Sequence, residues 1–259
     1  MFEKVAHTRT ADAAVEQVEG LILHGVLRSG DRLPAERDLA EQMDVSRPVL
    51  REALKTLEIR GLLVSRQGGG TYVADVIGPI FSQPVIALIE RHPAATADYL
   101  EFRRDIEGMT AAHAADRATE ADRQSLQTIV ERMTAAYAAD DAQTEAELDV
   151  EFHHAVGEAA HNVILLHALR SCYRLLENGV FYNRRRLYNH PSARKTVLAQ
   201  HREIAEHICA GRAEDAKAAS ERHIEFVKSA LEETTRLEER EALSGLRLQH
   251  RRATPAKNG

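Results

Sequence analysis

Asp149 and His153 stand four residues apart, the spacing that places a carboxylate and an imidazole on one helix face, one turn apart. His201 and His223 fall inside later helical patterns, so a helical bundle can bring both to that face and complete a one-carboxylate, three-imidazole set. Such ligands suit a divalent ion, zinc first, with nickel, manganese and iron also compatible. The chain has 13 histidines, so pairings at this spacing also arise by chance. Histidines satisfied in the core or exposed on the surface are the competing reading.

A second constellation is Arg47, Arg51 and Lys55, which project from one face of a helix whose other face carries Leu50, Ala53, Leu54 and Leu57. Arginines in the first two turns of such a helix can bridge guanine O6 and N7 in the major groove, while Lys55 is placed for phosphate. Ser46 can cap the helix and offer its hydroxyl and neighbouring N–H groups to a phosphate, and Arg37 on the preceding helix can brace the same backbone. The alternative is a solvated face on which the arginines pair with Glu52 or Glu58. Residues 1–75 hold 10 Lys and Arg against 12 Asp and Glu, and the whole chain has a formal charge of −6. A DNA surface must therefore come from placement rather than bulk charge.

These side chains need elements to position them. The 259 residues, 44% hydrophobic and 29% charged, suffice for two domains with cores of their own. No run approaches the roughly 20 apolar residues of a membrane span, and residues 1–10 are charged where a signal peptide would be apolar, which predicts a cytoplasmic protein. Cys172 and Cys209 lack CxxC spacing and read as small buried side chains. Glycine and proline crowd the first 75 residues. There the pattern predicts an amphipathic helix carrying Val15, Val18, Leu21 and Ile22, a turn over 29–34 and a short helix over 35–42. A helix from Ser46 to a stop at Gly61 follows, then β-prone pieces at 62–66 and 71–73 joined by a glycine-rich tip at 67–70. That order is a winged helix-turn-helix, assigned to residues 1–76. Residues 77–236 are alanine-rich and helical in pattern, with segments near 97–116, 121–139, 143–160, 163–188, 194–210 and 213–236. They predict an all-α antiparallel bundle, whose interior is a usual place for a ligand or metal. Residues 237–259 read as a basic flexible tail. The fold class is mainly α.

Leu33-Pro-Ala-Glu-Arg-Asp-Leu-Ala40, Val45-Ser-Arg-Pro-Val-Leu-Arg-Glu-Ala-Leu54, Gly61-Leu-Leu63 and Arg66-Gln-Gly-Gly-Gly-Thr-Tyr-Val73 occur in that order and resemble the DNA-binding domain of GntR-type transcription regulators. The helical remainder resembles the ligand-binding domain of their FadR branch. The resemblance implies a homodimer on a palindromic operator in double-stranded DNA, with contacts at Arg37, Ser46, Arg47, Arg51, Gln67 and Gly68. It also implies metal ligation by Asp149, His153, His201 and His223, whose surroundings match the branch's ligand segments, and an effector arginine at Arg103. His154, His161, His167 and His207 do not match those positions and read as structural or solvent-facing. Asn162 reads as a helix cap.

Arginine pairs bidentately with a carboxylate, so Arg103 beside a metal implies a compact acid effector. Residues 158–166 and 179–188 look most like regulators answering to lactate, glycolate or pyruvate. The expectation is a non-enzymatic, metabolite-responsive regulator of an organic-acid operon, a repressor released by its ligand. Alternatives are a sugar-acid effector, the metal ion itself as signal, and, more distantly, a metalloenzyme carried on a DNA-binding module.

Overall fold

The computed structural model describes residues 8–66, 68–76, 94–177 and 191–253, with isolated positions between 84 and 92. It divides into two compact units, Met1–Ile80 and Phe81–Gly259. Among the described residues, no helix is long and apolar enough to cross a membrane.

In the first unit α1 (Thr8–Leu23) and α2 (Glu36–Gln42) pack on α3 (Arg47–Ile59). Leu50, Ala53, Leu54 and Leu57 of α3 turn inward, joining Val15, Val18 and Ile22 of α1 and Leu39 of α2 in one apolar cluster. Ser46 occupies the cap position of α3 with an extended backbone, but its hydroxyl makes no capping hydrogen bond, which corrects the expected cap interaction. Pro48 sits in the first turn, where its missing N–H costs nothing. At the other end Gly61 takes φ +73°. Its N–H donates to the Glu58 carbonyl and the Leu62 N–H to the Leu57 carbonyl, a Schellman closure that a glycine makes without strain.

The strands β1 (Leu63–Arg66) and β2 (Gly70–Val73) pair antiparallel, Leu63 opposite Val73 and Arg66 opposite Gly70. The turn read at 29–34 also donates a third edge. Leu33 N–H donates to Thr71 O, Val73 N–H to Asp31 O, and Arg32 bridges Tyr72.

The second unit is helical: α4 (Ala94–Arg117), α5 (Glu120–Ala138), α6 (Ala142–Ala159), α7 (Val163–Glu177), α8 (Pro191–Cys209) and α9 (Ala213–Ala253). Three of its tight turns carry a left-handed residue, Asp140, His161 and Gly211. Thr119 and Asp122 close a capping box on α5, and the Asn162 side chain accepts from the N–H groups of Ile164 and Leu165 at the start of α7. The expected helix over 163–188 is described only to Glu177, and residues 178–190 lie outside the described set. Where the sequence reads as a tail from 237, α9 continues to Ala253. Good helix formers and the absence of proline before Pro255 carry it on, although residues 240–250 are exposed.

A buried ion pair ties α8 to α6. Arg194 donates through Nε to both Glu145 carboxylate oxygens, at 3.0 and 3.2 Å, and also pairs with Asp140 in the preceding turn. Removing Arg194 leaves Glu145 buried without its counter-ion. Arg194→Ala is expected to destabilise the second unit by about 3–5 kcal/mol, read as a lower urea midpoint, and Arg194→Leu combined with Glu145→Leu to recover most of the loss.

Candidate metal centre and nucleic-acid interface

Inward-facing positions on α4, α6, α8 and α9 recur every three to four residues, and each helix spends part of that stripe on polar groups. On α6 the stripe is Glu145, Leu148, Asp149, Phe152, His153 and Val156; α8 supplies His201 and α9 supplies His223. Asp149, His153, His201 and His223 are all buried, and one potential ligand atom from each lies within 4.8 Å of all the others. The His201 Nε2 atom is 3.3 Å from Asp149 Oδ1 and 3.3 Å from His153 Nε2. Phe152 packs on the His201 ring at 4.7 Å between centroids, and Tyr173 of α7 stacks on His153 at 5.1 Å. The polar cluster is thus walled by apolar and aromatic side chains.

The outer nitrogens of two rings are anchored. His153 Nδ1 is 2.8 Å from Glu107 Oε2, and His223 Nδ1 is 3.0 Å from Gln200 Oε1. With a proton on each Nδ1, the Nε2 lone pairs are left for coordination. Burial, then His201 and His153, push the His223 imidazole well below its ordinary value of 6.5. A neutral ring is the form that binds a metal. The donor set, its close approach and its burial therefore fit a divalent ion.

Arg103 is 1% exposed. Its Nε donates to Glu107 Oε1 at 2.7 Å, its Nη2 to the Tyr173 hydroxyl at 2.6 Å, and that hydroxyl donates to Glu107 Oε1 at 2.9 Å. Burial alone would raise the Glu107 carboxyl, but Arg103 and His153 outweigh it and hold the group well below the usual carboxylate range. Glu107 thus links the arginine to the histidine cluster. The sequence reading missed Glu107, Tyr173 and Gln200 as site residues. The spacing of Arg103 and Glu107, one helical turn, was the available signal for the first; the other two come from separate helices and left none.

Among the described residues, the other histidines lie outside this cluster. His161 Nε2 is 2.8 Å from Asp122, His207 lies near Glu203 and Asp215, and His154 meets Tyr173 edge-on. Cys172 is buried, its thiol pushed up to about 11 first by burial and then by Glu107. Cys209 is only partly buried.

In the first unit Arg47, Arg51 and Lys55 are exposed on α3, with Ser46 at its start. Arg51 pairs with Glu36 of α2 at 2.7 Å, rather than with Glu52 or Glu58, and Arg37 pairs with Asp38 at 3.0 Å. Gly68 sits at the wing tip with φ +72°; Gln67 lies outside the described residues.

A winged helix-turn-helix joined to a helical unit with a buried Asp and His cluster is the architecture of a two-domain DNA-binding regulator. Residues 10–73 match the gntR family of bacterial regulatory proteins and residues 98–226 match the FCD domain. The chain is 35% identical over 232 residues to the "Putative L-lactate dehydrogenase operon regulatory protein" of Escherichia coli (strain K12), covering 86% of each. It is 33% identical over 226 residues to the Glc operon transcriptional activator of the same strain, covering 85% of this chain and 88% of that one. Among solved structures, Streptococcus agalactiae GntR superposes with a TM-score of 0.53 at 29% identity, over 85% of this chain and 99% of the other. The chain belongs to the GntR family and carries an FCD domain. It is a transcription regulator of that type, related to lactate operon regulators, and its relatives are regulators, not enzymes. Members of the family bind DNA operators and typically act as dimers, and FCD domains often bind metal ions.

His223 is neutral in the fold but takes up a proton in the unfolded chain below 6.5. Stability of the metal-free second unit is therefore full above that pH and lost as pH falls below it. Urea midpoints should decline toward acid in the wild type and more shallowly in His223→Asn; an equally steep decline in the variant would contradict the assignment.

Proposed function

We propose that this regulator senses a small 2-hydroxy- or 2-keto-carboxylate, of the size of lactate, glycolate or pyruvate, at the site formed by Arg103 and a divalent ion held by Asp149, His153, His201 and His223. The observation that carries the reading is the continuous buried chain from Arg103 through Glu107 to His153. The metal-free site sets two carboxylates, Glu107 and Asp149, against one guanidinium, Arg103, a balance unfavourable to an anion. When bound, the ion supplies two positive charges and a Lewis-acid position for an oxygen, which tips that balance toward an anion. A monoanionic acid is the complement. Its carboxylate would be recognised by Arg103, and an ion held by Asp149, His153, His201 and His223 would supply Lewis acidity for a neighbouring hydroxyl or keto oxygen, while the aromatic and apolar walls disfavour a long acyl chain. Zinc is the ion favoured by this donor set, with nickel, manganese and iron as competitors. The relation to a lactate dehydrogenase operon regulator supports an effector of this class.

The chain acts as a homodimer on a palindromic operator, with Arg47 and Arg51 reading base edges, Lys55, Arg37 and Ser46 on phosphate, and Gln67 and Gly68 at the minor groove. It works as a repressor released by its effector, because the acid binds more tightly to the form with lower operator affinity.

Two measurements check this. Thermal unfolding of the zinc-loaded protein against lactate, glycolate and pyruvate should show one acid that stabilises by about 2.7 kcal/mol at a hundred times its Kd. The shift should vanish in Arg103→Ala and when zinc is withheld; a wild-type shift retained in Arg103→Ala overturns the pocket. On a duplex selected by the wild-type protein from random sequence, Arg47→Ala and Arg51→Ala should each cost about 1–3 kcal/mol and relax discrimination at one base position.

A further inference from the structure

We infer that the outward face of the wing is a phosphate-binding surface in its own right, with Arg32 and Arg66 as its two cationic arms. The inference rests on the DNA-binding role of the first unit and extends it to residues that neither the reading helix nor the glycine tip supplies.

Strand register places these side chains together. Arg66 pairs with Gly70 and Val64 with Tyr72, while Arg32 bridges Tyr72 from the third edge. Directly paired residues project to the same face of a sheet, and so do residues two apart on one strand. Arg32, Tyr72 and Arg66 therefore share one face with the Cα–H of Gly70, and the opposite face buries Leu63 and Val73 against the core. The Arg66 guanidinium lies 4.4 Å from the centre of the Tyr72 ring, and the Tyr72 hydroxyl donates to the Gly69 carbonyl at 3.0 Å. Stacking holds the guanidinium in place without using its N–H groups, which lie in its plane and stay available for an anion. Arg32 crosses Gly70 so closely that a Cβ there would stand 3.0 Å from its Nε. The glycine lets the second guanidinium lie flat over the strand beside the first.

Charge pairing singles out the same residues. Residues 1–75 contain more acids than bases, and Arg37, Arg51 and Arg60 are each paired, with Asp38, Glu36 and Glu19. Arg32 and Arg66 are exposed and form no ion pair among the described residues; among the described side chains of the unit, Arg47 and Lys55 of the reading helix are alike in this. In a unit with surplus carboxylates, two unpaired guanidinium groups on one face of the wing form an anion site. Its ligand is the phosphodiester backbone, which these arms would contact without regard to sequence.

The test is fluorescence anisotropy of the full-length, zinc-loaded protein on the selected duplex and on a scrambled duplex, across a range of KCl concentrations. Arg32→Ala and Arg66→Ala should each lower the slope of log affinity against log salt by about 1 and weaken both duplexes by the same factor. Arg66→Lys should keep the slope, and unchanged melting temperatures would exclude misfolding as the cause. Unchanged slopes in both alanine variants, with Arg47→Ala still weakening the selected duplex, would overturn the wing surface and leave the reading helix standing. Wild-type affinity in Arg47→Ala, Arg51→Ala and both wing variants would instead place the DNA contacts outside both the reading helix and the wing.

Discussion

A guanidinium can be buried only with a counter-charge and partners for its N–H groups. In the second unit Glu107 meets that requirement for Arg103 and, through its other oxygen, reaches His153. This carboxylate is the constraint on which the candidate site depends. It fixes the plane of the arginine and favours the His153 tautomer whose Nε2 points into the cluster. Tyr173 closes the arrangement by accepting from Arg103, donating to Glu107 and stacking on His153. Metal and acid are thereby proposed as one coupled requirement rather than two independent ligands.

The DNA-binding unit meets a different constraint. Its charge is nearly balanced, so contact with a polyanion depends on which cations escape internal pairing. Helical periodicity turns the leucines of α3 inward and Arg47 and Lys55 outward beside Arg51, which pairs with Glu36, and the sheet register turns Arg32 and Arg66 outward on the wing. Local geometry, more than composition, decides which cations face outward.

Much of this was legible in the sequence for identifiable reasons. Gly61 marked the end of α3 because a left-handed residue is needed there, and Asp149 and His153 shared a face because one helix carries both. The strand pairing of residues 30–33 with β2 was invisible because the segment reads as turn and is held only by a few backbone bonds. Tyr173 and Gln200 were missed because their roles arise from packing between helices. The Ser46 hydroxyl occupies a favourable cap position without using it, which residue type alone could not reveal. The continuation of α9 beyond residue 236 was likewise hidden by its charge, although its helix propensity pointed the other way.

The most direct test of the coupled site is reciprocity. Zinc affinity, measured by competition with a chromophoric chelator, should tighten when the stabilising acid is present, by the same factor that zinc tightens the acid. In Glu107→Gln that coupling should fall sharply even where zinc still binds. Zinc affinity that is identical with and without a bound acid would contradict the account, because the two ligands would then share no site.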